Sequence, residues 1–131
     1  TNRSHYAHAH HLKDLEITRR VISEMFPADV RAFDLVMDRT GAHMFNMMVM
    51  RADYFDRYCA WLFAILFEVE KRTDVSQYDS YQKRLYGYLS ERLLDVWLEA
   101  NQMEYQEVNV AYLEHQNWLK KGAKFLWRKF F

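Results

Sequence analysis

Two polar side chains interrupt an otherwise apolar run, His43-Met44-Phe45-Asn46-Met47-Met48-Val49-Met50. A buried imidazole or amide without a partner costs about 1–3 kcal/mol. His43 and Asn46 are therefore either satisfied locally or put to use. A second set lies further along. At 100° per residue, Arg84, Gly87, Tyr88, Glu91 and Asp95 fall on one arc of a helix. In a ligand-facing reading of that arc, Glu91 is an acid/base or hydroxyl-binding group and Arg84 clamps an anion or hydroxyl. Glycine inside a helix costs about 1 kcal/mol relative to alanine, so Gly87 has a use wherever something must approach the backbone closely. Glu91 and Asp95 repel mildly at i, i+4. An ordinary solvated face tolerates both features, and the two readings stand side by side.

Four histidines, His5, His8, His10 and His11, crowd the first eleven residues, and His115 is isolated. His8 and His11, at i, i+3, would share a helix face, but no carboxylate or thiol spacing completes a metal site around them. A polar lead-in with His10 or His11 near a helix cap competes with a hydrogen-bonding edge of a polar-ligand site. The chain has no glycine-rich phosphate loop and no Gly-x-Ser-x-Gly elbow. It has no Asp-x-Asp either, since Asp53 and Asp56 are three apart. A self-sufficient catalytic centre is not evident, which leaves a binding domain or part of a larger enzyme.

The elements that must position these groups are mostly helical. Leu12 to Phe26 carries apolar residues near a 3.6 period. Pro27 ends that helix and opens a second, which Thr40-Gly41 stops. Met44 to Met50, short and bounded by Gly41 and Arg51, reads as a buried strand, although methionine is a weak strand former. Asp53 to Arg72 is apolar nearly all round, with Phe55 and Tyr58 in its main stripe, and reads as the central core helix. Tyr81 to Asn101 is a further helix, its core face predicted to be Tyr81, Leu85, Leu89, Leu93, Val96 and Trp97. Tyr105-Gln106-Glu107-Val108-Asn109-Val110 alternates as a second strand. The expected fold is mainly α with a small β component (α+β), in a single domain over residues 1–131.

The chain holds 131 residues, half of them hydrophobic, with three glycines and one proline. That length suffices for a core without staples. The single Cys59 excludes a disulfide framework and fits a reducing compartment. No segment reads as a signal peptide, and the longest apolar run, Cys59 to Phe67, falls well short of the roughly 18 residues of a spanning helix. Net charge is zero, but five basic and no acidic residues lie in 118–131, leaving 13 Lys and Arg against 18 Asp and Glu before them. This basic tail, with Trp118, Leu119, Phe125, Leu126 and Phe130 on one side of a helical wheel, would lie on an anionic membrane surface or dock on the core. Nucleic acid is disfavoured as a partner, because the rest of the chain is acidic and carries no such motif.

Five ordered pieces carry a family resemblance: Tyr6-x-x-x-His10-His11-Leu12-x-Asp14-Leu15, Ala32-Phe33-Asp34-x-Val36-Met37-x-Arg39, His43-Met44-Phe45-Asn46-Met47, Phe55-Asp56-x-Tyr58-Cys59-x-Trp61-Leu62-Phe63, and Tyr81-Gln82-x-Arg84-x-x-Gly87-x-Leu89-Ser90-Glu91-Arg92-Leu93-Leu94-x-Val96-Trp97. They resemble the C-terminal half of a bacterial family from capsular and exopolysaccharide gene clusters, long described as a domain of unknown function and grouped with the GT-A glycosyltransferases. The resemblance implies the acceptor-side half of an enzyme moving a sugar from a nucleotide-sugar to a capsular, exopolysaccharide or lipopolysaccharide acceptor. It also implies a divalent metal, manganese or magnesium, held by residues outside this chain, and a fragment that is inactive by itself. The implied location is cytoplasmic, peripheral to the inner membrane through 118–131.

By the same resemblance, His43 and Asn46 contact sugar hydroxyls, and Glu91 or Arg84 lies near the transferred sugar or the acceptor. His10 and His11 border the acceptor cleft, and Tyr81, Tyr86, Tyr88 and Trp97 offer stacking surfaces. Self-association through apolar surface that a missing half would cover is a further expectation. The competing reading is a non-catalytic helical module for protein interaction or membrane association.

Overall fold

The computed structural model describes residues 1–111. Five helices follow one another: α1 (Asn2–Ala9), α2 (Leu12–Met25), α3 (Val30–Asp38), α4 (Ala52–Arg72) and α5 (Leu85–Ala100), with short 3-10 turns at Pro27–Asp29 and Gln82–Arg84. Helix α1 arises where the sequence reading had only a polar lead-in. Thr1 and Ser4 form a capping box, with the Thr1 hydroxyl accepting from the Ser4 backbone N–H at 3.2 Å. Pro27 sits at the start of its 3-10 turn, where its missing N–H does no harm.

The helices pack α3 on α5, α2 on α4 and α4 on α5. Their core joins Leu15, Ile22, Phe33, Met37, Ile65 and Leu93. Two expectations about it change. Helix α4 is not wrapped by the core, since Phe55, Phe63 and Phe67 are exposed and the last two stack on each other at the surface. The enclosed helix is α5, which buries Tyr88, Arg92 and Asp95 together with its leucines and Trp97. Tyr81, assigned to the core face from periodicity, is half exposed, because the chain at 82–84 is a 3-10 turn and takes Tyr81 off the helical wheel.

The expected β component is absent. Among the described residues there is no strand, and the fold is all-α. Residues 47–50 do alternate, with Met48 and Met50 leaning on the core and Met47 and Val49 exposed. No second segment among the described residues pairs with their backbone, and Asn46, at φ 48°, turns the chain away from extended geometry. Tyr105, Val108 and Val110 are all exposed, so that segment has no buried face to select a register. No described helix is long and apolar enough to cross a membrane. The basic segment 118–131 and His115 lie outside the described residues.

Candidate functional site

The polar arc of α5 forms the floor of two neighbouring depressions. The smaller, about 440 Å³, is lined by Asn46, Arg84, Tyr86, Gly87, Tyr88 and Glu91. Residues 87, 88 and 91 arrive there through the helical spacing of α5, and Arg84 from the end of the 3-10 turn that leads into it. Asn46 reaches them from the α3–α4 connection, its left-handed backbone being one that asparagine tolerates better than most residues. The Asn46 Nδ2 donates to Ser90 Oγ at 2.9 Å, and Ser90 Oγ donates to the Gly87 carbonyl at 2.8 Å. The Arg84 guanidinium lies 5.5 Å from the centre of the Tyr88 ring. Glu91 forms no ion pair among the described residues. A Cβ on Gly87 would meet nothing within 4 Å, so no protein contact requires the glycine and its backbone opens onto the cleft.

His10 supports this cleft from behind. Its ring stacks 4.0 Å from Tyr88 and 5.6 Å from Tyr81. Its Nδ1 faces Gln82 Oε1 at 3.3 Å, and Gln82 Nε2 donates to the Ala9 carbonyl at 2.9 Å. Burial holds the His10 pKa below the ordinary histidine value, outweighing the Gln82 bond that would raise it. Neutral His10 is thus a flat wall for Tyr88. The Tyr88 hydroxyl is buried without a hydrogen-bond partner among the described residues.

One helical turn beyond Glu91 lies Asp95, which defines the second depression. This cavity, about 1070 Å³, lies between the end of α3, the C-terminal half of α5 and residues 102–107. Asp95 Oδ2 accepts the backbone N–H of His43 at 2.9 Å, and Oδ1 lies 2.6 Å from His43 Nδ1. The other ring nitrogen, Nε2, is 3.4 Å from Glu107 Oε1, and Tyr105 meets the ring edge-on at 5.2 Å. Asp95 raises the His43 pKa, chiefly through its hydrogen bond, with Glu107 adding to the effect.

The sequence-derived residues therefore divide. Asn46, Arg84, Tyr88 and Glu91 converge on one cleft, with His10 behind it. His43 belongs to the adjoining cavity. His11 occupies the N-cap position of α2 without a side-chain capping bond and packs on Tyr78 at 4.4 Å, away from the lining of either depression. Trp97 is core, edge-on to Tyr58, and offers no stacking surface. Asp95 as the partner of His43 was missed. Its place on the polar arc was visible, but nothing in the sequence joins residues 52 positions apart.

The described residues thus make an all-helical domain with two adjoining polar depressions on one helix face. The chain belongs to the family described as a domain of unknown function (DUF4422), whose model matches residues 1–102. No curated protein and no solved structure matches it.

Proposed function

We propose that this chain is the acceptor-side part of a glycosyltransferase that moves a sugar from a nucleotide-sugar to a bacterial surface-polysaccharide acceptor, acting at the cytoplasmic face of the inner membrane. One observation carries the reading beside the family resemblance: Asn46, Arg84, Tyr88 and Glu91, singled out by residue type and spacing, line a single cleft. A sugar site needs hydrogen-bonding groups on a rigid frame beside an aromatic platform. Asn46 supplies an amide fixed through Ser90, Arg84 a cation over an aromatic ring, and Glu91 a carboxylate suited to an oxocarbenium-like sugar.

The metal that the resemblance implies does not fit these residues. No group of three or more His, Cys, Asp or Glu among the described residues is disposed to hold an ion. A divalent ion would take its ligands outside the described residues.

Titration calorimetry with UDP- and GDP-sugars, with and without manganese, tests the reading on this chain and on an N-terminally extended polypeptide. Binding is expected in the extended protein, weakened at least tenfold by Arg84→Ala. Absence of binding in both proteins would leave the helical interaction module as the better description.

A further inference from the structure

The larger cavity, beside the proposed sugar cleft, is lined by the His43–Asp95 pair. Both Asp95 oxygens are committed to one residue, gripping the His43 backbone at 2.9 Å and its ring at 2.6 Å. The Asp95 side chain is only 10% exposed, whereas that of Glu107 is 77% exposed. An ionised carboxylate only accepts hydrogen bonds, so Nδ1 carries the hydrogen. The charged ring donates toward a carboxylate from each nitrogen, and on deprotonation the Asp95 bond keeps the hydrogen on Nδ1, so Nε2 is the nitrogen left without one. Glu107 stands 3.4 Å from that nitrogen on an exposed side chain, a contact that a ligand can replace.

We propose that His43, oriented by Asp95, is the proton-accepting group of the larger cavity and takes the hydrogen of an acceptor hydroxyl bound there. This rests on the glycosyl-transfer reading. The cleft for the donor sugar and the cavity for the acceptor share one face of α5, with Glu91 and Asp95 a single turn apart. In the step, the acceptor O–H bond breaks and its proton passes to Nε2. The acceptor oxygen bonds to the anomeric carbon of the donor. The bond from that carbon to the phosphate oxygen breaks, and its electron pair leaves with the nucleoside diphosphate. A single displacement of this kind inverts the anomeric configuration.

His43 meets Asp95, Glu107 and Tyr105, and the other titratable or charged groups lining its cavity are Glu99 of α5 and Asp38 and Arg39 at the end of α3. Arg39 is engaged by Glu99 and is not a rival partner for Asp95. Because Asp95 raises the His43 pKa, the base is fully available only above the ordinary histidine range.

Two measurements test this. Nitrogen-15 NMR of the histidines in the full chain, followed over pH, reports the tautomer. Neutral His43 is expected to carry its hydrogen on Nδ1, and Asp95→Asn should move it to Nε2. A neutral wild-type ring with its hydrogen on Nε2 overturns the inference whatever the activity. In a transfer assay on the extended polypeptide, His43→Gln should lower kcat by about 10²–10⁴-fold, with the donor KM nearly unchanged. The acid limb of the wild-type rate profile should coincide with the His43 titration seen by NMR, and the product should be inverted. A transferring enzyme whose His43→Gln variant keeps kcat, or whose product retains configuration, overturns this inference alone. A wild-type protein that binds and turns over no nucleotide-sugar overturns the glycosyl-transfer reading and this inference together.

Discussion

Arg92 and Asp95 stand three positions apart on one helix and do opposite things. Arg92 is 2% exposed and faces inward. Its guanidinium lies 4.8 Å from the Tyr6 ring centre, one amino group donates to the Tyr88 carbonyl at 2.8 Å, and the other meets His5 Nδ1 at 3.2 Å. Burial lowers its pKa, and Nε has no partner among the described residues. Asp95 holds a histidine at the wall of an open cavity. The inward charge is kept by an aromatic ring and a carbonyl and joins α1 to α5. The Asp95 charge is kept by a titratable partner whose other ring nitrogen meets only the exposed Glu107. Burial of a charged side chain does not by itself mark a functional site; the partner it keeps decides.

The comparison breaks first, and most visibly, at Arg92. Arg92→Ala removes a large buried side chain and should cost about 2–4 kcal/mol of stability in urea denaturation, whereas Asp95→Asn should cost much less and act mainly on His43. Arg92→Met, which keeps most of the volume, should recover part of the loss. A smaller effect is expected at a second inward polar centre. Asp14 is fully buried, with Oδ1 accepting from the Tyr78 hydroxyl at 2.7 Å and Oδ2 unpartnered. Tyr78→Phe orphans that carboxylate and should cost about 1–3 kcal/mol by the same assay.

Histidine pH dependence sharpens the contrast. His43 has a raised folded pKa, so its stabilisation is complete below the unfolded value near 6.5 and fades as pH rises through the folded one. His10 has a lowered folded pKa, so its contribution is present above the unfolded value and is lost as pH falls through the folded one. Denaturation series from pH 5 to 8 should therefore tilt in opposite directions for His43→Gln and His10→Phe. The smallest change in stability is expected for Gly87→Ala, neutral or stabilising by up to about 1 kcal/mol. The same variant should weaken nucleotide-sugar binding, because the added methyl projects into the cleft.

The helices were legible because their apolar residues recur at helical spacing, and α2 and α4 fall within a residue of where that spacing put them. The cleft was legible for the same reason, since Gly87, Tyr88 and Glu91 sit on one arc of α5 and Arg84 directly precedes it. The strands were misread because alternation in Tyr105–Val110 has no partner among the described residues, and pairing is a property of two segments. Helix α1 was missed because it buries only Asn2 and Tyr6 and shows almost no apolar period. The His43–Asp95 pair was invisible because each residue is ordinary alone, and their meeting depends on how the α3–α4 connection crosses α5.

Asn2 shows what holds that connection in place. Its backbone N–H donates to the Arg39 carbonyl at 2.8 Å, and its side-chain amide donates to the carbonyls of Val36 at 2.8 Å and Gly41 at 3.0 Å. The far end of α1 is held to α5 through Tyr6 and Arg92. Detaching residues 39–43 therefore means releasing α1 as well, and the two should exchange their amide hydrogens as one cooperative unit with a common opening energy. The segment carrying His43 thus behaves in solvent exchange as part of the helical frame, two residues before the chain passes into the exposed stretch that begins at Phe45.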